Sequence, residues 1–259
     1  MHEHQAATAA DHAKPQPLVR DPLTLDWDSA VDEREVSIPV SGGVLGARLC
    51  CPEAPQATVV MGHPGALAHL ASRERFAASL LARAGFATLL VDLVTDDEDW
   101  RDASAGADVP LLALRLSSAA HWLASQPDLA ALPLGLVGVD TAAPAALVAA
   151  AFDPARVFAI VTRGGHPERA GASLVLSHVP TLNIQGSDGP DDGAFAGTRW
   201  SAGDSHLQQR LVLPAPPDAL REGRALDRVI SASAAWFTFW LDTTPAPRLA
   251  LTRAGRRHA

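Results

Sequence analysis

Asp140 is the residue on which any chemistry in this sequence turns. It stands at the centre of Gly138-Val139-Asp140-Thr141-Ala142, between an apolar run of strand length and an alanine-rich helical segment that continues to Ala151. A tight strand-to-helix turn of this kind lifts one side chain above the end of a sheet, and in the pattern Gly-x-Ser-x-Gly that side chain is a serine nucleophile. A carboxylate has other options. It is ionised at neutral pH, with a reference pKa of about 3.9, and needs no base to attack an sp³ carbon. The ester so formed would then need a histidine-activated water to break it. A plainer reading makes Asp140 the cap of the following helix, accepting the N–H of Ala142 or Ala143 near the positive end of the helix dipole. Pro144 suits such a start, because first-turn N–H groups lack helical partners anyway.

Other candidate groups lie at the ends of neighbouring apolar runs. Residues 57–62 lead into His63-Pro64-Gly65-Ala66. There the N–H of Gly65 or Ala66, with that of Thr141, could form an oxyanion hole, while Pro64 has no N–H to give. His63 is expected to position this loop. Arg163 and His166 follow the run 157–162, at the end of a strand where open α/β sheets bind ligands. A salt bridge from Arg163 to Asp140 or Asp188 is the expected use of that charge. The acidic stretch 95–108 reads as a solvated loop, and His2, His4 and His12 as part of a polar tail. No Cys-x-x-Cys or histidine-rich spacing is present, so neither a metal nor a cofactor is expected.

The elements that must position these groups are legible from pattern. Residues 35–40 and 44–50 alternate around Ser41-Gly42-Gly43, which reads as a β-hairpin at a sheet edge, where Pro39 is tolerated. The apolar runs 57–62 and 87–92 suit strands buried on both faces, and 134–139, 157–162, 181–185 and 209–213 read as further strands. Between them the pattern predicts a helix from an N-cap at Ser72, with Phe76, Leu80, Leu81 and Ala84 inward. A second runs from Pro110 to about Ser125, with Leu111, Leu114, Ala119 and Trp122 inward. A last one spans 224–241. Alternating strands and helices require a mostly parallel central sheet, with the hairpin antiparallel and helices on both faces. The expected organisation is a loosely attached segment 1–30, one domain at 31–243 and a flexible basic tail at 244–259.

Composition narrows the partners. A net charge of −8 in 259 residues argues against nucleic acid or an anionic membrane. Cys50 and Cys51 are adjacent, and a bridge between neighbouring residues is strained, so a reducing cytoplasm is the expected location. No run approaches the ~18 apolar residues of a membrane span. A small-molecule ligand is the partner the pattern leaves room for; the oligomeric state is left open.

The order of these elements resembles the α/β-hydrolase fold, and the wording resembles its dienelactone hydrolase-like branch. The likeness rests on Gly62-His63-Pro64-Gly65, on the run from Arg75-Phe76 to Val91-Asp92-Leu93, on 145–151 after the elbow, and on Arg163-Gly164-Gly165 followed by Pro167 and Ala170-Gly171. It covers residues 35–241. It implies a triad, and two of the three positions are altered. The family's nucleophile, serine or cysteine, falls on Asp140. Its acid matches Asp188 in Gly186-Ser187-Asp188. Its histidine position, past the last strand, falls on Asp218 in a proline-rich turn, and the nearest histidine is His206, before that strand.

What the resemblance implies is therefore an ester- or lactone-hydrolase ancestry with a degenerate triad, serving as a binding or scaffold module. The alternative is an active hydrolase of a small ester, lactone, halogenated or epoxide substrate, using Asp140 or a displaced His206. Asp140, Asp188 and Asp218 around one pocket would repel one another and favour a shared proton or a cation over hydrolysis.

Overall fold

The computed structural model describes residues 30–102, 104–173, 177–187, 207–216, 220 and 223–243. Asp188, His206, Asp218 and most of the two expected end segments lie outside the described residues. One eight-stranded sheet runs in the order β1-β2-β4-β3-β5-β6-β7-β8. Its strands are β1 Val31–Val40, β2 Gly43–Pro52, β3 Ala57–His63, β4 Phe86–Asp92, β5 Leu134–Val139, β6 Val157–Arg163, β7 Thr181–Gly186 and β8 Gln208–Leu213.

β1 and β2 form the expected antiparallel hairpin, closed at Gly42 with φ 90°. β2 meets β4 antiparallel, and all the remaining pairings are parallel. Pro39 sits on the outer strand β1, where its missing N–H interrupts no interior ladder. β3, β4, β5, β6 and β7 are almost wholly buried, as continuous apolar runs require.

The helices are α1 Ser72–Arg83, α2 Asp96–Arg101, α3 Val109–Ala124, α4 Ala143–Phe152 and α5 Gly223–Thr243. Two apolar clusters lie on opposite faces of the sheet. One joins α3 and α4 to alternate residues such as Val60, Leu89, Leu136 and Ile160. The other joins α1 and α5 to Val59, Leu90, Val137 and Val161. Adjacent strand residues point to opposite sides, so each strand feeds both cores.

Several details differ from the sequence reading. The N-cap of α1 is Ala71, which has no side chain to cap with, rather than Ser72. Phe76 is 44% exposed and Leu114 58% exposed. In α3 the buried face is Leu112, Leu116, Ala119 and Leu123, so Ala119 is inward as expected while Leu111, Leu114 and Trp122 give way to neighbours one or two residues along. The acidic stretch is not a plain loop. Its α2 begins with a capping box in which Thr95 and Glu98 satisfy each other's backbone N–H groups, and a 3₁₀ turn at Ala105–Ala107 follows. Four acids in the first turn of α2 favour the positive end of its dipole. None of the described helices is long and apolar enough to cross a membrane.

Candidate functional site

The parallel strands end together, so the last residues of β3, β4 and β6 and the first residue after β5 bring His63, Asp92, Arg163 and Asp140 to one edge of the sheet. β3 lies between β4 and β5, where connections leave in opposite directions and a crevice opens.

The elbow itself is formed. Asp140 has φ 50°, in the left-handed region that few residues enter; aspartate is among those that tolerate it. It opens a 3₁₀ turn, Asp140–Ala142, which leads directly into α4. The N-cap of α4 is therefore Ala142, and the expected capping by Asp140 is replaced by a tighter turn. Neighbouring backbone makes that turn possible. A Cβ on Gly138 would meet Ala143 Cα at 2.8 Å, and one on Gly164 would meet Asp140 Oδ1 at 3.0 Å. A Cβ on Gly165 would run into the carbonyl oxygen of Asp140. The glycine pair after β6 thus lies flush beneath the elbow.

The opposite wall is the loop after β3. His63 Nδ1 accepts the N–H of Gly65 at 3.2 Å. That bond fixes the loop, as expected of His63, and it engages the Gly65 donor proposed for an oxyanion hole. Burial lowers the His63 pKa, while the carboxylates of Glu74 and Asp92 pull it upward. With Nδ1 already accepting, the ring proton sits on Nε2, and the histidine has no free lone pair with which to act as a base. Thr141, the residue after Asp140, donates its hydroxyl to the carbonyl of Gly106.

Arg163 does not pair with Asp140 as expected. Its Nη2 lies 2.8 Å from Glu74 Oε1, reaching from the end of β6 to the first turn of α1. Both residues are buried, at 3% and 6% exposure, and Arg163 Nε and Glu74 Oε2 have no hydrogen-bond partner among the described residues. The pair is favourable only relative to leaving either charge alone. His166 turns outward to Glu168 at 2.8 Å. A second buried contact lies next door. Asp92 receives both the backbone N–H of His69, at 3.0 Å, and its ring Nδ1, at 2.6 Å. Burial raises the Asp92 pKa against those hydrogen bonds. The His69 ring packs on Gly46 of β2, where any Cβ would meet it at 2.6 Å.

Of the residues singled out from sequence, Asp140, Thr141, His63, Gly65 and Arg163 come together. Glu74, Gly106, Asp92, His69 and the Gly164-Gly165 floor were missed as site residues. The glycine pair after an apolar strand was a usable signal, as was an acid at the last position of buried β4. Nothing in the local pattern marked Glu74.

No family model matches the chain. A crystal structure of a dienelactone hydrolase from Anabaena variabilis is 33% identical to it. The match covers 81% of this chain and 98% of that one, with a TM-score of 0.69. The chain belongs to the dienelactone hydrolase-like α/β-hydrolases. A dienelactone hydrolase-like promiscuous phosphotriesterase from metagenomic libraries shares the fold at 20% identity, over 82% of this chain and 99% of its own, with a TM-score of 0.61. Two Mycobacterium tuberculosis proteins, which carry the provisional name phosphoribosyl transferase, are 38% identical over 211 residues. That stretch is 81% of this chain and 47% of theirs, so the chain spans about half the length of these relatives. The dienelactone hydrolase-like framework is thus shared across most of the described residues, and the elbow of this member carries aspartate.

Proposed function

We propose that this dienelactone hydrolase-like protein binds a small molecule at the elbow without hydrolysing it, as a binding or scaffold module in a reducing cytoplasm. The observation that carries this reading is the state of the Gly65 donor. Of the residues expected to supply an oxyanion donor after β3, Pro64 has no N–H and the N–H of Gly65 is committed to His63, which leaves Ala66 alone. An acyl-transfer site that loses one such donor forfeits a factor of about 10²–10³ in rate. Aspartate at the elbow and Asp218 at the family's histidine position point the same way. At those two positions the sequence has neither the serine nor the histidine that the two-step reaction uses.

A negative net charge and a carboxylate at the elbow disfavour nucleic acid, anionic lipid and phosphate-rich ligands alike. For that reason we assign the phosphoribosyl transfer in the mycobacterial relatives' name to the half of them that this chain does not match. Diphosphate groups are held by helix N-termini and glycine-loop N–H groups, and here a carboxylate occupies that end of α4.

The retained elbow favours one other reading, in which Asp140 attacks an alkyl halide or epoxide, with His206 freeing the product. The deciding experiment is turnover of p-nitrophenyl acetate, a haloacid and an epoxide by the full chain, with Asp140→Asn and His206→Ala alongside. Non-hydrolytic binding predicts rates for all three proteins at the level of buffer. Turnover lost in either variant would sink it, and a covalent adduct on Asp140 would establish the alternative.

A further inference from the structure

Gly106 lies against both walls of the elbow. In an elbow of this architecture an acyl oxygen is held by backbone N–H groups of the residue after the nucleophile and of the loop after β3. Here Gly106 meets the side-chain hydroxyl of the first of these residues, Thr141, next to its N–H, and the Pro64 carbonyl in the second. The Thr141 hydroxyl donates to the Gly106 carbonyl, and a Cβ on Gly106 would meet the Pro64 carbonyl oxygen at 2.8 Å. Only glycine fits so close to another backbone. The Ala105–Ala107 turn is therefore wedged across the crevice with its own carbonyl on the Thr141 donor.

Firm ties flank this wedge. Upstream, Arg115 Nη1 donates to Glu98 at 2.7 Å and to the Leu93 carbonyl at 2.8 Å, which pins α2 to α3. Downstream, Asp108 caps α3 by accepting the Leu111 N–H at 3.0 Å. The wedge itself consists of two alanines and a glycine. Apart from buried Ala105, it is held by hydrogen bonds to its backbone from Thr141 and, at 3.4 Å, from Arg169 to Ala107, and by the local turn bonds of Ala105 to Asp102 and Ala107 to Ser104. Segments with few buried side chains are the ones that open locally while their anchors stay folded.

We propose that residues 104–108 are an internal occupant of the elbow, whose Gly106 carbonyl stands in for a ligand's carbonyl oxygen and must leave before that ligand binds. The chemistry of the vacated partner defines the ligand class. Thr141 offers a hydroxyl donor, so the incoming atom is an acceptor. The carboxylate of Asp140 one residue away selects a neutral carbonyl, as in an ester, lactone or amide, over a carboxylate or phosphate. The inference takes from the proposed function only that the elbow is a binding site.

The test measures access to the elbow. In a Cys51→Ser background, Asp140→Cys places a thiol on the turn, and its modification by methyl methanethiosulfonate is followed by mass spectrometry. Cys50 is buried, which pushes its thiol up to about 12, and it stays silent. Adding Thr141→Val removes the donor and is expected to speed modification about tenfold, the scale of one lost hydrogen bond. Thr141→Ser keeps the hydroxyl and is expected to leave the rate unchanged. Equal rates in the parent and Thr141→Val proteins, at equal melting temperature, would overturn the proposal. Should Asp140→Cys fail to fold, hydrogen exchange decides in the otherwise unaltered chain. Thr141→Val is expected to accelerate exchange about tenfold at 104–108 and nowhere in α3; unchanged exchange there would be equally fatal. Ester turnover by the unaltered chain would defeat the non-hydrolytic reading and leave these rates untouched.

Discussion

The elbow after β5 and the loop after β3 end adjacent strands, yet they are held in different ways. The elbow is fixed by its backbone, with residue 140, an aspartate, at φ 50°. The loop is fixed by a side chain, with His63 accepting the N–H of Gly65 next to Pro64, which has no N–H to give. The difference lies in what each feature costs to change. The turn at 140 is enclosed by Gly138, Gly164 and Gly165, all within contact of its backbone or of the next residues. Any altered path there collides with neighbouring chain. The loop's tie is a single hydrogen bond, worth on the order of 1 kcal/mol. Geometry fixed by close packing is costlier to alter than geometry fixed by one hydrogen bond.

The largest effect should appear where the two regions are tied together. Glu74 belongs to the helix after the loop and Arg163 to the floor of the elbow, and their ion pair is buried. Removing one partner strands the other, so Glu74→Ala or Arg163→Ala is expected to cost about 3–5 kcal/mol in urea denaturation. The double change Glu74→Leu with Arg163→Met should fall within about 1 kcal/mol of the parent, because two apolar chains need no counter-charge. Single variants as stable as the parent would mean that the pair does not join the two walls.

Next comes the floor. Gly165→Ala puts a methyl against the Asp140 carbonyl at a residue with φ 70°, and a loss of about 2–3 kcal/mol is expected from strain and displacement. The comparable change on the other wall, Pro64→Ala, should cost less than about 1 kcal/mol, since no tight contact depends on the ring. Similar losses at the two positions would erase the contrast drawn between them.

The same contrast explains what could be read in the sequence. Strands and turns were legible because they rest on local pattern: continuous apolar runs for β3 to β7, Gly42 for the hairpin, and glycine at 138 for the elbow. The helical faces were less so. Leu114 points outward because the phase of α3 is set by packing on α4 and β3 rather than by its own spacing. In the site, Asp140, Thr141, His63 and Arg163 were found from their places at strand ends. Their partners were not. Glu74 lies 89 residues from Arg163 and Gly106 lies 35 from Thr141, and no periodicity encodes pairings at that distance. The expected capping role of Asp140 failed for a related reason. A cap and an elbow share the same residue types, and only the contact with Gly164 and Gly165 decides between them.

Asp140 itself offers a subtler test, because its backbone and its carboxylate can be separated. Asp140→Gly should accept φ 50° without strain, while Asp140→Val forces a β-branched residue into that region, so valine should be less stable than glycine by about 1–2 kcal/mol. Equal stabilities would mean that the turn relaxes once the carboxylate is gone, and that Asp140 is held by its side chain rather than by the floor.

The smallest effect is expected on the rim, where the tie is electrostatic rather than steric. Hydrogen bonds from Arg115, joined by those from Thr95, hold the Glu98 carboxyl down at about 2, from an ordinary 4.5, against the opposing cost of burial. A pKa depressed on folding adds stability that is complete above the unfolded value and disappears as pH falls through the folded one. Glu98→Gln should therefore lower the melting temperature most at neutral pH, progressively less from about pH 4.5 down, and hardly at all near pH 2. The Glu98 side chain is one-third exposed, so solvent screening limits the neutral-pH loss to about 1 kcal/mol. Gly165→Ala carries no titrating group, and its deficit should be the same across that range. Parallel pH profiles for the two variants would show that Glu98 contributes by shape alone. Converging and constant profiles would separate a rim held by charge from an elbow held by contact.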